Sequence, residues 1–315
     1  MTPDADCSSE VTVIVAVCTY RRNDELERLF EALLLNDAAL GERVRLGVSV
    51  ADDNVDGRAH DVVSRFGARF TGDVVYECTG SGNISIARNA AVAGALRAEA
   101  DWVAMTDDDC VAPPHWVESL LDAQRATGAD VVTGSCDFVP PPGAPEWLVD
   151  EPFFESAEFR FRDLALVEVA ATNNSMIRAE SLRSMPDWRF DESLGILGGE
   201  DMVFFKLAAR AGVSIVYSES SAVLAEEPPA RATLRYQLRS HLWLGNTEFV
   251  TSERIDDVSR VRWFGRGAYL VLTGLTRPLA RLVRGDAPQF RYALAMSAQG
   301  VGRAMGAIGI RLRHH

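Results

Sequence analysis

Residues Val11 to Val17 read VTVIVAV, a β-branched and almost wholly apolar run of strand length. A strand with one wet face would alternate apolar and polar residues, so this run predicts a strand covered on both faces, as in the middle of a parallel sheet. Helical periodicity follows at once. Leu26, Leu29, Phe30, Leu33 and Leu34 recur at i, i+3, i+4, i+7 and i+8, and Asn23 or Asp24 stands where an N-cap is expected. The βα pattern then repeats: Val44 to Ala51 predicts a strand, Ala90 to Leu96 lies in an Ala-rich helix, and Trp102 to Thr106 predicts another strand. The fold class expected is α/β, a mostly parallel central sheet flanked by helices.

Downstream, the pattern predicts a helix over His115 to Thr127 and a strand over Val131 to Gly134. The Pro-rich stretch Val139 to Pro145 reads as a loop or flexible lid. A strand is expected at Val167 to Ala171, a helix from Met202 to Ala211 stopped by Gly212, and a final short strand at Ser214 to Tyr217. Beyond Glu226 the chain is helical, Arg-rich and punctuated by glycine. These readings divide it into a flexible N-terminus (1–10), an α/β domain (11–225) and a basic helical C-terminal extension (226–315).

With 315 residues and 47% hydrophobic side chains the chain can bury a large core. Its net charge of −13 argues against nucleic acid as a partner, since phosphate backbones are gripped by clustered Lys and Arg. The charge is unevenly spread. Residues 262–315 carry nine arginines against one acid, Asp286, so this tail is +8 and the rest of the chain −21. Trp263, Phe264, Tyr269, Leu270 and Leu272 are interleaved with those arginines. Two readings stand: an amphipathic segment resting on an anionic membrane surface, or helices packed on an acidic body. The five cysteines (Cys7, Cys18, Cys78, Cys110, Cys136) are odd in number and lack C-x-x-C spacing, which suits a reducing compartment. The acidic, polar start is unlike a signal peptide, and the apolar stretch Gly267 to Leu275 is too short to span a bilayer. The expected location is the cytoplasm, with the inner face of the cell membrane as the surface the tail would meet.

Ligands of open α/β sheets bind beyond the carboxyl ends of the strands. Thr19 and Tyr20 follow the first strand, Asp53 the second, and Asp107, Asp108 and Asp109 the strand at Trp102 to Thr106. Three adjacent carboxylates repel one another, and a hard divalent cation, Mg²⁺ or Mn²⁺, relieves this while binding substrate phosphates. The i, i+2 spacing suits Asp109 to hold metal and Asp107 to orient ribose or a metal-bound water. The plain alternative is a solvated acidic turn. Gly198-Gly199-Glu200-Asp201 places two carboxylates in a first helical turn, where they serve as caps or keep Asp201 ionised as a general base.

In this order and spacing, CTYRR (18–22), ADDN (51–54), ARN (87–89), TDDDC-x-x-x-P (106–114) and GGED (198–201) resemble the family 2 glycosyltransferases of the GT-A (Rossmann-like) fold. The resemblance covers residues 11–225 and implies a nucleotide-binding half (11–114) and an acceptor half (115–225). It further implies that Cys18, Thr19, Tyr20 and Asp53 hold the nucleotide base, usually uracil, and that Arg88 lies near base and pyrophosphate. Asp107 and Asp109 match the ribose and metal aspartates of the DXD motif, with Asp108 between them on the nucleotide. Asp201 matches the catalytic base, with Glu200 beside it. The implied reaction is metal-dependent, inverting transfer of one sugar from a nucleotide-diphosphate donor, most often a UDP-sugar, to a hydroxyl acceptor on a lipid-linked glycan or a secondary metabolite, as in bacterial polysaccharide biosynthesis. The chain departs from the pattern twice. Ala225 stands where many relatives carry a histidine, and Gln237 to Trp243 does not match the Q-x-x-R-W of processive synthases. Rival readings are a nucleotide-sugar binding protein without catalysis and a phosphohydrolase using D-x-D-x-V at 107–111. A dinucleotide site fails for want of a glycine motif after the first strand.

Overall fold

The computed structural model describes residues 10–154 and 160–313. The expectation of a flexible start, and Cys7 with it, falls on residues outside that range. A seven-stranded sheet runs β3 (Val74–Cys78), β2 (Val44–Asp52), β1 (Val11–Thr19), β4 (Trp102–Thr106), β8 (Asn174–Arg178), β6 (Val131–Thr133), β9 (Ile215–Tyr217). All neighbouring pairs are parallel except those that β8 makes with β4 and β6. A three-stranded sheet runs β5 (Cys110–Val111), β10 (Val223–Glu226), β7 (Cys136–Val139), and its first strand in the chain, β5, follows the end of β4 after three aspartates.

The apolar β1 run is explained by two-sided burial. Val13, Val15 and Val17 share a core with Leu26, Leu29, Phe30 and Leu33 of α1 (Asn23–Ala39), whereas Ile14 and Ala16 face Ala87, Ala91 and Ala95 of α3 (Ile84–Arg97). The alanines matter because they let α3 approach closely. At Gly94 even a Cβ would collide with Ser49 Oγ of β2. Asn83 caps α3, its side chain accepting from the backbone N–H groups of Ser85 and Ile86.

Three local expectations are corrected. Neither Asn23 nor Asp24 caps α1; Arg22 occupies the cap position without a side-chain cap bond, and Asn23 donates instead to the carbonyl of Arg58 at 2.9 Å. Val167 to Ala171 is not a strand. An isolated antiparallel bridge, Leu166 to Val216, forms just before it, and the pairing with β9 ends at Val167, whose N–H donates to the carbonyl of Ile215 at 2.9 Å. The missing strand is β8, whose polar start reads as a turn. Asn174 is nevertheless fully buried because it accepts from Trp116 Nε1 (2.9 Å) and donates to the carbonyls of Ser135 and Ser221 (2.7 Å each). Ser214 to Tyr217 is also not the last strand, since β10 follows it.

The chain forms two compact units. One comprises Met1–Asp137, Phe159–Glu192 and Phe204–Ala225 and holds the large sheet with α2 (His60–Gly67), α4 (Trp116–Thr127) and α6 (Ala179–Ser184). The other comprises Phe138–Glu158, Ser193–Val203 and Glu226–His315. It contains α5 (Glu146–Asp150), the start of α7 (Glu200–Arg210), and α8 (Leu234–Ile255), α9 (Arg260–Val283) and α10 (Phe290–Ala307). The last three helices pack at backbone distance: a Cβ at Gly245 or Gly302 would strike the α10 or α8 backbone, and one at Gly267 or Gly274 the α10 backbone. Charge is matched within this bundle, where Glu248 accepts from Arg303 and Glu253 from Arg260 and Arg311. In α9, Phe264, Tyr269 and Leu272 are exposed while Trp263 and Leu270 are partly covered.

Candidate active site

Strand register builds the first half of the site. Thr19 pairs with Asp52, and the β1–β4 pairing through Ala16 and Met105 carries Asp107 to the same rim. Asp52 is structural. Its carboxylate is fully buried and accepts from the backbone of Asn54 and Ala59, from Asn54 Nδ2 and from the Tyr76 hydroxyl, fixing how β2 ends. Asp53 then points into the loop between β3 and α3. Thr79 Oγ1, Ser81 N, Ser81 Oγ and Gly82 N all donate to its Oδ1, at 2.7–3.1 Å, and none of these four bonds uses Oδ2.

The acidic cluster sits at the end of β4 and is met by two arginines. Arg22 Nη1 donates to Asp108 Oδ1 at 3.0 Å and to Asp109 Oδ2 at 2.6 Å, while Arg88 Nη2 of α3 lies 3.5 Å from Asp107 Oδ1. Asp108 is 4% exposed, and burial pushes its carboxyl up to about 7 against the opposing pull of Arg22. Burial of Arg22 opposes its own charge, but Asp108 and Asp109 outweigh this and hold the guanidinium more firmly protonated than usual. Cys18 lies at the same rim with its thiol pushed up to about 12, chiefly by burial, so it is a neutral packing group and not a nucleophile. Tyr20 is half exposed beneath the Arg21 guanidinium, 5.0 Å from its ring centroid. A small pocket lined by Cys18, Arg88, Ala91, Met105, Asp107 and Thr172 opens at this edge.

Among the described residues no group of three His, Cys, Asp or Glu side chains is placed to enclose a metal ion. With the Cys18 thiol held neutral, the groups this rim could offer a cation are oxygens: the carboxylates of Asp107 and Asp109, the buried Asp108 carboxyl with the Thr19 hydroxyl against it, and the buried Thr106 Oγ1, which has no hydrogen-bond partner. Such a partial, hard donor set fits Mg²⁺ or Mn²⁺, which typically take one or two carboxylates and complete their shell with water and substrate phosphate. Ala225, opposite Cys110 in the β5–β10 pair, is buried and offers no ligand, whereas Glu226 on the same strand is exposed.

The structure therefore brings Cys18, Thr19, Tyr20, Asp53, Arg88 and Asp107 to Asp109 to one sheet edge. Glu200 and Asp201 belong to the second unit. They open α7 after Gly198 and Gly199, whose φ values are 87° and 83°, and Asp201 Oδ1 accepts from the Met202 N–H at 2.7 Å. The loop is clamped to α8: Trp243 Nε1 and Thr247 Oγ1 both donate to the carbonyl of Leu197, at 2.8 and 3.2 Å. A Cβ on Gly198 would collide with the Trp243 ring, and one on Gly199 with Thr251 and Thr247.

Sequence reasoning gave Arg22 no role. Its signal was present, because an arginine at a helix N-terminus opposes the helix dipole and needs a distant carboxylate to hold it.

Residues 14–185 match the profile described as glycosyl transferase family 2. The chain is 31% identical over 233 residues to succinoglycan biosynthesis protein ExoM of Rhizobium meliloti, covering 74% of this chain and 72% of that protein. It is 30% identical to validoxylamine A glucosyltransferase of Streptomyces hygroscopicus subsp. jinggangensis, covering 66% of this chain and 53% of that one. Among solved structures it resembles mannosyltransferase PcManGT from Pyrobaculum calidifontis in complex with GDP-Man and Mn²⁺ (TM-score 0.59, 14% identity, 96% of this chain and 88% of that one). It also resembles S. aureus TarS 1-349 in complex with UDP-GlcNAc (TM-score 0.54, 16% identity, 93% and 89%). At those identities the structures show a shared fold, the GT-A glycosyltransferase fold, while the profile and the ExoM relationship show descent. The chain belongs to glycosyl transferase family 2 and is a glycosyltransferase.

Proposed function

We propose that the protein transfers one sugar, with inversion, from a nucleotide-diphosphate sugar, a UDP-sugar first among them, to a hydroxyl acceptor, and that the reaction requires Mg²⁺ or Mn²⁺. The observation that carries this reading is the meeting of Asp53, Arg88 and Asp107 to Asp109 at one sheet edge, with oxygen donors incompletely satisfied there. The similar structures support it, one holding UDP-GlcNAc and the other GDP-Man together with Mn²⁺.

In this reading Asp53 Oδ2 and Thr19 accept from the nucleotide base, Asp107 orients the ribose, and Arg88 steadies base and pyrophosphate. Asp107 and Asp109 would hold the divalent ion, which when bound offsets charge on the departing diphosphate. Asp201 takes the proton from the acceptor hydroxyl as its oxygen bonds to the anomeric carbon and the bond from that carbon to the diphosphate breaks. Glu200, buried beside it, opens the same first turn of α7. Gly198 and Gly199, clamped to α8, fix where that turn begins. The acceptor in this reading is a lipid-linked glycan or a secondary metabolite; the names of two relatives, a succinoglycan biosynthesis protein and a validoxylamine A glucosyltransferase, point to glycan assembly and to glucosylation of a small molecule.

The test is release of nucleoside diphosphate from UDP-, GDP- and dTDP-sugars with and without Mn²⁺ and with an acceptor pool. Release that needs both Mn²⁺ and acceptor, and that disappears in Asp201→Asn while donor binding persists, is the expected result. Donor binding with no acceptor-dependent release would leave only a nucleotide-sugar binding protein.

A further inference from the structure

Helix α9 carries an uncovered apolar stripe. Val261, Phe264, Leu272, Leu275, Leu279 and Leu282 fall within about 80° of the helix circumference at 3.6 residues per turn, and all are exposed, Val261 at 82% and Leu275 at 66%. The face that packs on α10 is a different one, marked by Gly267, Gly274 and Pro278. On the far side of the stripe from that seam stand Tyr269, Arg262 and Arg266, with Arg284 just past the helix end. The arginines pair with no carboxylate among the described residues. From Arg260 to Arg284 there are six arginines and no acid. At 24 residues α9 is long, yet no helix among the described residues is long and apolar enough to cross a membrane.

We propose that this face of α9 lies in the plane of an anionic bilayer surface, the leucine stripe in the acyl boundary and the arginines among lipid phosphates. A contiguous exposed apolar face calls for a cover, and the charge pattern selects it. A second copy of the chain meeting the same face would bring two acid-free, arginine-rich helices together, repelling without compensation. Anionic headgroups supply the missing charge, long arginines reach them while the leucines sink below, and tyrosine occupies the boundary between the two. Membrane seating also suits a lipid-borne acceptor, although the proposal does not depend on the transfer chemistry and is tested apart from it.

The test is flotation of the intact protein with vesicles of phosphatidylcholine alone and of phosphatidylcholine with phosphatidylglycerol. The protein should float with the anionic vesicles, stay in solution with the neutral ones, and be released as salt rises. The variant Leu275→Glu/Leu279→Glu, whose changes lie on the exposed face and should leave the thermal transition in place, should lose binding by about tenfold or more. Arg262→Gln/Arg266→Gln should need less salt for release. Failure to float with phosphatidylglycerol at low salt, equal flotation of the double-glutamate variant, or a concentration-dependent dimer that this variant dissolves would each overturn the assignment.

Discussion

Arg22 Nη1 bonds Asp109 Oδ2 at 2.6 Å, so a guanidinium from the start of α1 already neutralises the carboxylate proposed to hold a metal. The same nitrogen reaches Asp108 Oδ1 at 3.0 Å, and one cation thereby serves two acids at the rim of β4. On the proposed reading, a divalent ion at Asp109 would compete with Arg22 for the same charge.

Replacing that guanidinium is therefore expected to have opposite effects on stability and on cation binding. Arg22→Gln leaves Asp108 and Asp109 facing each other without compensation and should destabilise the metal-free protein by about 1–3 kcal/mol. Mn²⁺ should recover part of the loss and bind the variant more tightly than the parent. Thermal unfolding with and without Mn²⁺ reads both effects; equal Mn²⁺ affinity in the two proteins would show that Arg22 and the ion do not share a site.

Asp53 shapes the β3–α3 loop through a single oxygen. Asp53→Ala removes four hydrogen bonds at once and should cost about 2–4 kcal/mol, with loss of nucleotide affinity. Asp53→Asn keeps an acceptor at Oδ1 and should retain most of the stability while weakening nucleotide binding. Urea unfolding beside nucleotide titration separates the two roles.

The glycines before Glu200 leave little room for a side chain. Gly198→Ala must place a Cβ against the Trp243 ring at a φ of 87°, and a loss of about 2 kcal/mol or more is expected from strain and overpacking. Because the displaced turn carries Asp201, kcat should fall with little change in donor affinity. A variant with parental stability and turnover would show that the clamp on α8 is dispensable.

His241 gives the second unit an acid-sensitive point. Burial lowers its pKa from the ordinary 6.5, and its Nδ1 is 2.8 Å from the carbonyl of Gln237. A depressed value means that the unfolded chain binds the proton more readily, so the stability this residue protects is complete above pH 6.5 and declines as pH falls toward the folded-state value. In His241→Gln the decline over that window should be shallower, as chemical denaturation at a series of pH values would show.

What could be read from sequence divides along physical lines. β1 and β4 were legible because two-sided burial leaves a nearly unbroken apolar run, β2 because Leu46, Val48 and Val50 alternate with shorter or polar residues, and α1 because one covered face leaves a 3.6-residue period. β8 was not, since Asn174 is buried through bonds to Trp116, Ser135 and Ser221, partners dispersed along the chain. The strand ends announced Asp53 and Asp107 to Asp109 by carboxylate density alone. Arg22 and the four donors on Asp53 Oδ1 stayed hidden because they depend on distances between segments. In the tail, composition left a lipid surface and packing on the body as equal readings; the structure separates the two faces of α9 and shows which one is covered.

The most direct test of the proposed chemistry is titration calorimetry of UDP against the parent protein and Asp107→Ala/Asp109→Ala, each with and without Mn²⁺. UDP should bind the parent at least about tenfold more tightly when Mn²⁺ is present, and the folded double variant should lose that enhancement. Binding of UDP that is indifferent to Mn²⁺ in the parent and unchanged in the variant would contradict the claim that this acidic rim holds a cation for the departing diphosphate.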